Sequence, residues 1–157
     1  MIKQASVRIK KIFFLVIFYT NIPFALSEET DELLIIGSLS PIQEFHLGNA
    51  TTVITREDIM RQQSRYVTDL LRAVPGFSIS QSGSKGSQTQ IRVRGAEGNH
   101  VLVVIDGIRA NDPANGDEFR WELLSAFNLE KIEIVRGPQS ALWGSDALAA
   151  VVYIKTA

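Results

Sequence analysis

The chain has 157 residues, of which 45% are hydrophobic and 21% charged, with a net charge of −1 and no cysteine. That length suits one domain rather than two large ones, and the composition excludes bulk disorder. The lack of cysteine excludes disulfides, thiol catalysis and cysteine-ligated metal.

Residues 1–27 read as a signal peptide. Lys3, Arg8, Lys10 and Lys11 stand without an acidic neighbour, Ile12 to Tyr19 is unbroken apolar sequence, and Ala25-Leu26-Ser27 places small residues where a signal peptidase cuts. A spanning helix needs about 20 apolar residues, and Thr20, Asn21 and Pro23 end this run early. Cleavage after Ser27 leaves Glu28 to Ala157 with 12 basic and 17 acidic residues, a net charge of −5. A nucleic-acid binder presents a basic face, so no nucleic-acid partner is expected.

Residues 28–49 form a polar, acidic segment around one apolar run, Leu33-Leu34-Ile35-Ile36, followed by Gly37, Ser38, Pro41 and Gly48. This composition reads as a flexible lead with one β-prone segment. The folded domain is expected over residues 50–157. Thr51 to Ile54 is β-prone, and Thr55 with Asp58 at N3 makes a capping box for a helix. A second helix is expected from Tyr66 to Val74, its buried face formed by Val67, Leu70, Leu71 and Val74 and its end marked by Pro75-Gly76.

Phe77 to Gln81 and Gln90 to Arg94 read as strands around a Gly/Ser-rich loop, Ser82 to Ser87. Val101 to Ile105 is a continuous apolar run, as in a strand buried on both faces, and Asp106-Gly107 signals a tight turn. Asn111 to Asp117 is a polar loop, and Leu123 to Phe127 is expected to be a short helix. Lys131 to Val135 alternates as a strand. Pro138, after Gly137, is expected just inside a short helical turn through Leu142, and Ala150 to Ile154 is the last strand. The fold class is α+β, a small mixed β-sheet with short helices and long loops.

Five blocks carry a family resemblance. They are Ile54-Thr55-Arg56-Glu57-Asp58-Ile59; Asp69 to Gly76; Ile91-Arg92-Val93-Arg94-Gly95; Val101 to Arg109, containing Asp106-Gly107; and Ile132 to Ala147, containing Arg136-Gly137-Pro138. In this order over the domain they resemble the plug of TonB-dependent outer-membrane receptors, with wording nearest the cobalamin-receptor branch. The resemblance implies a globular plug inside a barrel of about 22 strands, in the outer membrane, taking up a small nutrient such as a siderophore or cobalamin. It implies no cofactor and no resident metal. Arg92, Arg94, Gly95, Asp106, Gly107, Arg136, Gly137 and Pro138 form the plug's structural motif. Glycine permits close backbone packing there, and arginine can pair with carboxylates where water is scarce; the plainer alternative is that both Arg-Gly pairs end strands with a solvated charge.

Asp31, Glu32, Leu33, Leu34, Ile35 and Ile36, with Gly37, resemble the TonB box. A short β-prone segment on a flexible lead can add as an edge strand to a partner sheet, here the TonB C-terminal domain. The alternative is an ordinary first strand. Ser82, Ser84, Asn99, His100, Asn111, Asp112, Asn115 and Asp117 fall in loops that resemble the plug's substrate-facing apex. The acidic loop has the oxygen chemistry that Ca²⁺ prefers, but not the spacing of an EF-hand, and solvated turns explain it more simply.

The sequence departs from the family in having Ala149-Ala150 where a glycine pair is usual, which suggests a strained turn. A barrel also needs more than about 200 residues, and none follow Ala157. The resulting expectations are a receptor fragment, a stand-alone periplasmic plug that binds ligand or TonB without transport, or a plug entering a barrel supplied in trans. Catalysis is not expected. His46 and His100 are the only histidines, Trp143-Gly144-Ser145-Asp146 is not a nucleophile elbow, and Gly83-Ser84-Lys85-Gly86 lacks the spacing of a phosphate loop.

Overall fold

The computed structural model describes the backbone of residues 33–34 and 42–43 and all of residues 49–157. The expected signal peptide, residues 1–27, and the side chains of the TonB-box-like run, residues 31–37, lie outside the described residues. The elements in chain order are β1 (Leu33–Leu34), β2 (Ile42–Gln43), β3 (Ala50–Thr55), α1 (Arg56–Gln62), α2 (Val67–Leu71), β4 (Phe77–Gln81) and β5 (Thr89–Val93), then β6 (Val101–Ile105), β7 (Ile108–Arg109), β8 (Leu129–Arg136), α3 (Ser140–Trp143) and β9 (Ala150–Thr156). Short 3-10 turns cover Gly98–His100, Pro113–Asn115 and Trp121–Leu123.

Five strands make one mixed sheet in the spatial order β3-β8-β9-β6-β7, with β6 and β9 parallel and every other neighbour antiparallel. β4 and β5 form a separate antiparallel hairpin, and β1 pairs with β2 through Leu33↔Gln43 and Leu34↔Ile42. The apolar run of β6 explains itself once both faces are seen. Val101 and Val103 join the main core with Ile132, Ile134, Val152 and Ile154, beneath Leu70, Leu71, Ile91 and Val93. Leu102 and Val104 point the other way, into a smaller cluster with Val135, Ala147 and Val151 that Trp143 and Tyr153 flank. A strand buried on both sides has no polar alternation to show.

The first two helices owe their existence to different forces. Thr55 accepts the Asp58 amide at 3.3 Å while the Asp58 carboxylate accepts the Thr55 amide at 3.2 Å, the reciprocal capping box expected of that pair. α2 is only five residues long, too short to hold by propensity. Full burial of Leu70 and Leu71, worth about 1.5–3 kcal/mol each, holds it instead. The tight turn after β6 has φ of 48° at Asp106 and 85° at Gly107, so the two-residue loop between Ile105 and Ile108 has the type I′ character that suits a twisted hairpin.

The structure corrects four local expectations. The helix expected to Val74 ends at Leu71, and the Ala73 and Val74 amides bond three residues back, because Pro75 disfavours helical backbone before it. Leu123 to Phe127 is not a helix. A 3-10 turn over Trp121–Leu123 takes in only its first residue, and the backbone beyond reaches across instead, with Val67 N–H donating to Leu124 and Ala126 N–H to Arg65. Pro138 lies outside α3, whose cap is Gln139, because the Gln139 amide is committed to the Ala147 carbonyl at 2.7 Å. Ala149 and Ala150 carry no strained backbone. The described non-glycine residues with positive φ are Gln63, Arg94, Asp106 and Asp117, and both alanines are buried.

Among the described residues no helix is long and apolar enough to cross a membrane, a statement that does not bear on β-barrels. Replacing Thr55 by Ala should destabilise the domain by about 1 kcal/mol in denaturant unfolding, with Thr55→Ser close to wild type, because only the hydroxyl cap is lost.

Candidate functional site

Three of the motif blocks meet at one junction. Arg136 ends β8 and is 8% exposed, with its guanidinium turned back over the edge strand β3. Its Nε donates to Ala50 O at 3.2 Å, Nη2 to Thr51 O at 2.7 Å and to Thr52 Oγ1 at 2.9 Å, and Nη1 to Pro75 O at 2.9 Å. The next residue, Gly76, accepts the Arg94 amide at 2.8 Å, and a Cβ at Gly76 would meet Arg94 Cγ at 3.4 Å. Pro75-Gly76 is thus held from both sides. Burial, and after it the nearby Arg94 charge, lowers the Arg136 pKa below the ordinary arginine value. The expected carboxylate partner for Arg136 is replaced by carbonyl oxygens, which a planar fork with five donors satisfies well. Arg92 and Arg94 are exposed and fit the plainer reading of solvated strand ends, though Arg94 turns the chain with φ 53° before Gly95 at φ 81°. Gly137, at φ 124°, donates to Ala149 O at 2.8 Å and starts the return toward β9.

Asp106 belongs to a second fastening at the other end of β6. Its carboxylate accepts the Thr156 amide at 2.9 Å and the Thr156 hydroxyl at 2.7 Å. Those two bonds, the amide first, hold its pKa below the usual 3.8.

The residues expected to face substrate divide into scaffold and surface. Asn111 is buried: its Oδ1 accepts Val103 N–H at 2.8 Å, and its Nδ2 donates to Val101 O at 3.0 Å and Asp117 O at 2.7 Å. It continues the sheet past β7 instead of presenting a side chain to the loop surface. Asp112 caps the turn at Ala114 and pairs with Arg120 at 3.3 Å. Asn115 is half-buried, and Asp117 stands at φ 61° beside Arg109 at 3.7 Å. Asn99 and His100 are half-buried in the turn before β6, where Gly98 packs against Glu118. Ser82 and Ser84 are exposed at the tip of the β4–β5 hairpin. Lys85 ties that tip to Asp69 at 2.6 Å and lies over the Tyr66 ring. Gln90 donates to Glu118 at 3.2 Å and Thr89 N–H to Glu122 at 3.2 Å, so the hairpin and the segment after loop 111–117 share partners.

Sequence reading missed the residues that do this joining. Arg109 pairs with Asp146 as well as Asp117, clipping loop 111–117 to loop 144–148. Glu118, Glu122 and Asp146 look like ordinary surface acids in a linear sequence. Their partners lie 28 or more residues away, beyond any local pattern.

Two outcomes follow from this geometry. Arg136→Lys should lower stability by about 1–3 kcal/mol, because one ammonium cannot reach all four of these partly buried acceptors; chemical denaturation measures it. For Asp106, a folded pKa below the unfolded one means that the clasp stabilises fully above the unfolded value and is lost as pH falls through the folded one. The Thr156 amide proton resonance should therefore titrate with a midpoint below 3.8, and Asp106→Asn should abolish that titration.

Comparisons with known proteins agree with the geometry. The TonB-dependent Receptor Plug Domain family matches residues 44–151. A variant of the ferric enterobactin receptor PfeA of Pseudomonas aeruginosa, in complex with enterobactin, is 29% identical with a TM-score of 0.54, over 68% of this chain and 17% of that one. The siderophore receptor PirA of Acinetobacter baumannii is 29% identical with a TM-score of 0.55, over the same 68% and 17%. The P. aeruginosa receptor FpvA bound to a heterologous pyoverdine shares the fold at a TM-score of 0.68 and 18% identity, over 80% of this chain and 16% of its own. This chain thus spans about one sixth of the length of those receptors. With the matched region covering most of the chain and its sheet built as in those structures, the chain belongs to the TonB-dependent receptor plug domain family.

Proposed function

We propose that this chain is the plug of an outer-membrane receptor importing a ferric siderophore, with energy supplied by TonB through Asp31–Ile36. The single observation that carries the substrate class is the 29% identity to receptors described for enterobactin and for siderophores. On this reading the chain works with a barrel, supplied by its parent receptor or in trans, in the outer membrane. Ser82, Ser84, Asn99, His100, Asp112, Asn115 and Asp117 face the ligand, while Asn111 holds their loop from below. The role is binding and gated passage rather than bond-making chemistry.

The TonB step has a physical basis in β1. A two-residue strand paired on one edge with β2 retains an outer edge to which another sheet can add. Leu34→Pro removes a backbone donor and restricts the chain there. The purified wild-type chain should bind the TonB C-terminal domain in a calorimetric titration, and Leu34→Pro should weaken that binding by at least about tenfold. The circular dichroism of the domain should not change. Equal affinity of the two proteins would remove Asp31–Ile36 from the TonB interface.

A further inference from the structure

A groove of about 810 Å³ opens where α1 meets the segment leading into β8, within the size range of sites that hold small ligands, about 300–1,000 Å³. Of its lining, Ile59 and Leu129 are buried, while Met60 and Phe127 stand 66% and 92% exposed. Tyr66 adds a second aromatic ring. The charge is one-sided. Arg56 and Arg65 line the groove, no acidic residue does, and neither arginine makes an ion pair among the described residues. Lys85 lies over the Tyr66 ring but is committed to Asp69.

This arrangement selects among anionic ligands. Arg56 opens α1 and Arg65 follows its end, so the two cations attach at opposite ends of a helix about 10 Å long. A single-headed anion such as a fatty acid balances one of them and leaves the other. An acidic peptide balances both only by ordering its backbone and side chains, which costs affinity. A compact, rigid polyanion with aromatic faces meets every requirement: its charge reaches both guanidinium groups, and its rings pack on Phe127, Tyr66 and the Met60 thioether. We propose that the groove binds such a ligand, an iron(III) catecholate complex, as a second site on the domain. The choice of an iron chelate rests on the siderophore role proposed for the chain. The site is separate from the loops assigned to that role at the Arg136 end of β8. Val101 pairs with Ala150 and Ala150 with Arg136, so loops 97–100 and 144–148 join the sheet there, and the Asn111 amide fixes loop 111–117 to the Val101 carbonyl at the same end. The groove lies at Leu129, about 23 Å away along the strand.

The test uses the full chain, isotope-labelled for NMR, and iron(III) tris-catecholate, whose paramagnetic iron broadens nearby amide resonances. The gallium(III) complex, of the same shape and charge but diamagnetic, serves as the reference and gives the affinity from its shifts. Binding in the groove predicts broadening at Gln63, Ser125 and Phe127 at ligand concentrations that leave Asn99 and Asp117 sharp. Arg56→Gln with Arg65→Gln should weaken binding at least about tenfold. Arg61→Gln with Arg72→Gln removes the same charge from exposed positions outside the groove and should change the affinity by less than about twofold, because distant surface charges are screened. Broadening confined to residues 97–100 and 111–117, broadening nowhere, or an affinity indifferent to the loss of Arg56 and Arg65 would each overturn the groove site. So would tighter binding of dodecanoate than of the complex. Broadening at the loops alone leaves the siderophore role standing, and broadening at the groove stands even if the parent receptor imports something else.

Discussion

Arg136 leaves β8 at the end of the sheet, and its guanidinium lies over the edge strand β3, donating to Ala50, Thr51, Thr52 and Pro75. A cation taken out of water costs several kcal/mol unless its donors are matched, and here four acceptors from two separate segments do the matching. The constraint runs both ways. β3 has only β8 as a neighbour in the sheet, so the guanidinium holds its first residues where the ladder alone is weakest. The Pro75-Gly76 corner is held by the same group and by Arg94 N–H, which sets where the β4–β5 hairpin leaves the body. The placement of the hairpin tip, with Ser82 and Ser84, follows from that corner.

The opposite end of the sheet is fastened by different chemistry. Asp106 in the β6–β7 turn takes both the amide and the hydroxyl of Thr156, tying the end of β9 to a neighbour with which it runs parallel. Parallel strands cannot be joined by a tight turn. β6 and β9 therefore come together only after β7, the 111–128 segment and β8 have been laid down. Contacts of that sequence separation are costly to close, and the side-chain clasp at Asp106 secures the last of them. Between the two fastenings, loops 97–100, 111–117 and 144–148 are cross-braced by Arg109, Glu118 and the buried Asn111 amide. A loop braced in this way presents its outer residues with little entropy left to lose, which favours ligand binding.

The groove between α1 and residues 125–129 stands apart from that loop surface. It exposes Phe127 and Met60 beside Arg56 and Arg65, whose guanidinium groups make no ion pair among the described residues.

Much of this protein was legible in the linear sequence because its signals are local. The Thr55–Asp58 capping box, the Asp106-Gly107 turn, the Pro75-Gly76 stop and the doubly buried Val101–Ile105 strand each depend on residues within a few positions of one another. The family resemblance likewise rests on short contiguous blocks. Tertiary structure decided the rest, wherever a residue's role is set by a partner far along the chain. Residues 123–127 abandoned a helix because residues 65–67 offered their backbone. Arg136 found carbonyls 61 to 86 residues away in place of a carboxylate, and the Asn111 amide bonds the backbone of Val101 and Val103. Local backbone preference is written in neighbouring residues. The satisfaction of a buried polar group is not, since it depends on which distant donors and acceptors the folded chain brings within hydrogen-bond reach.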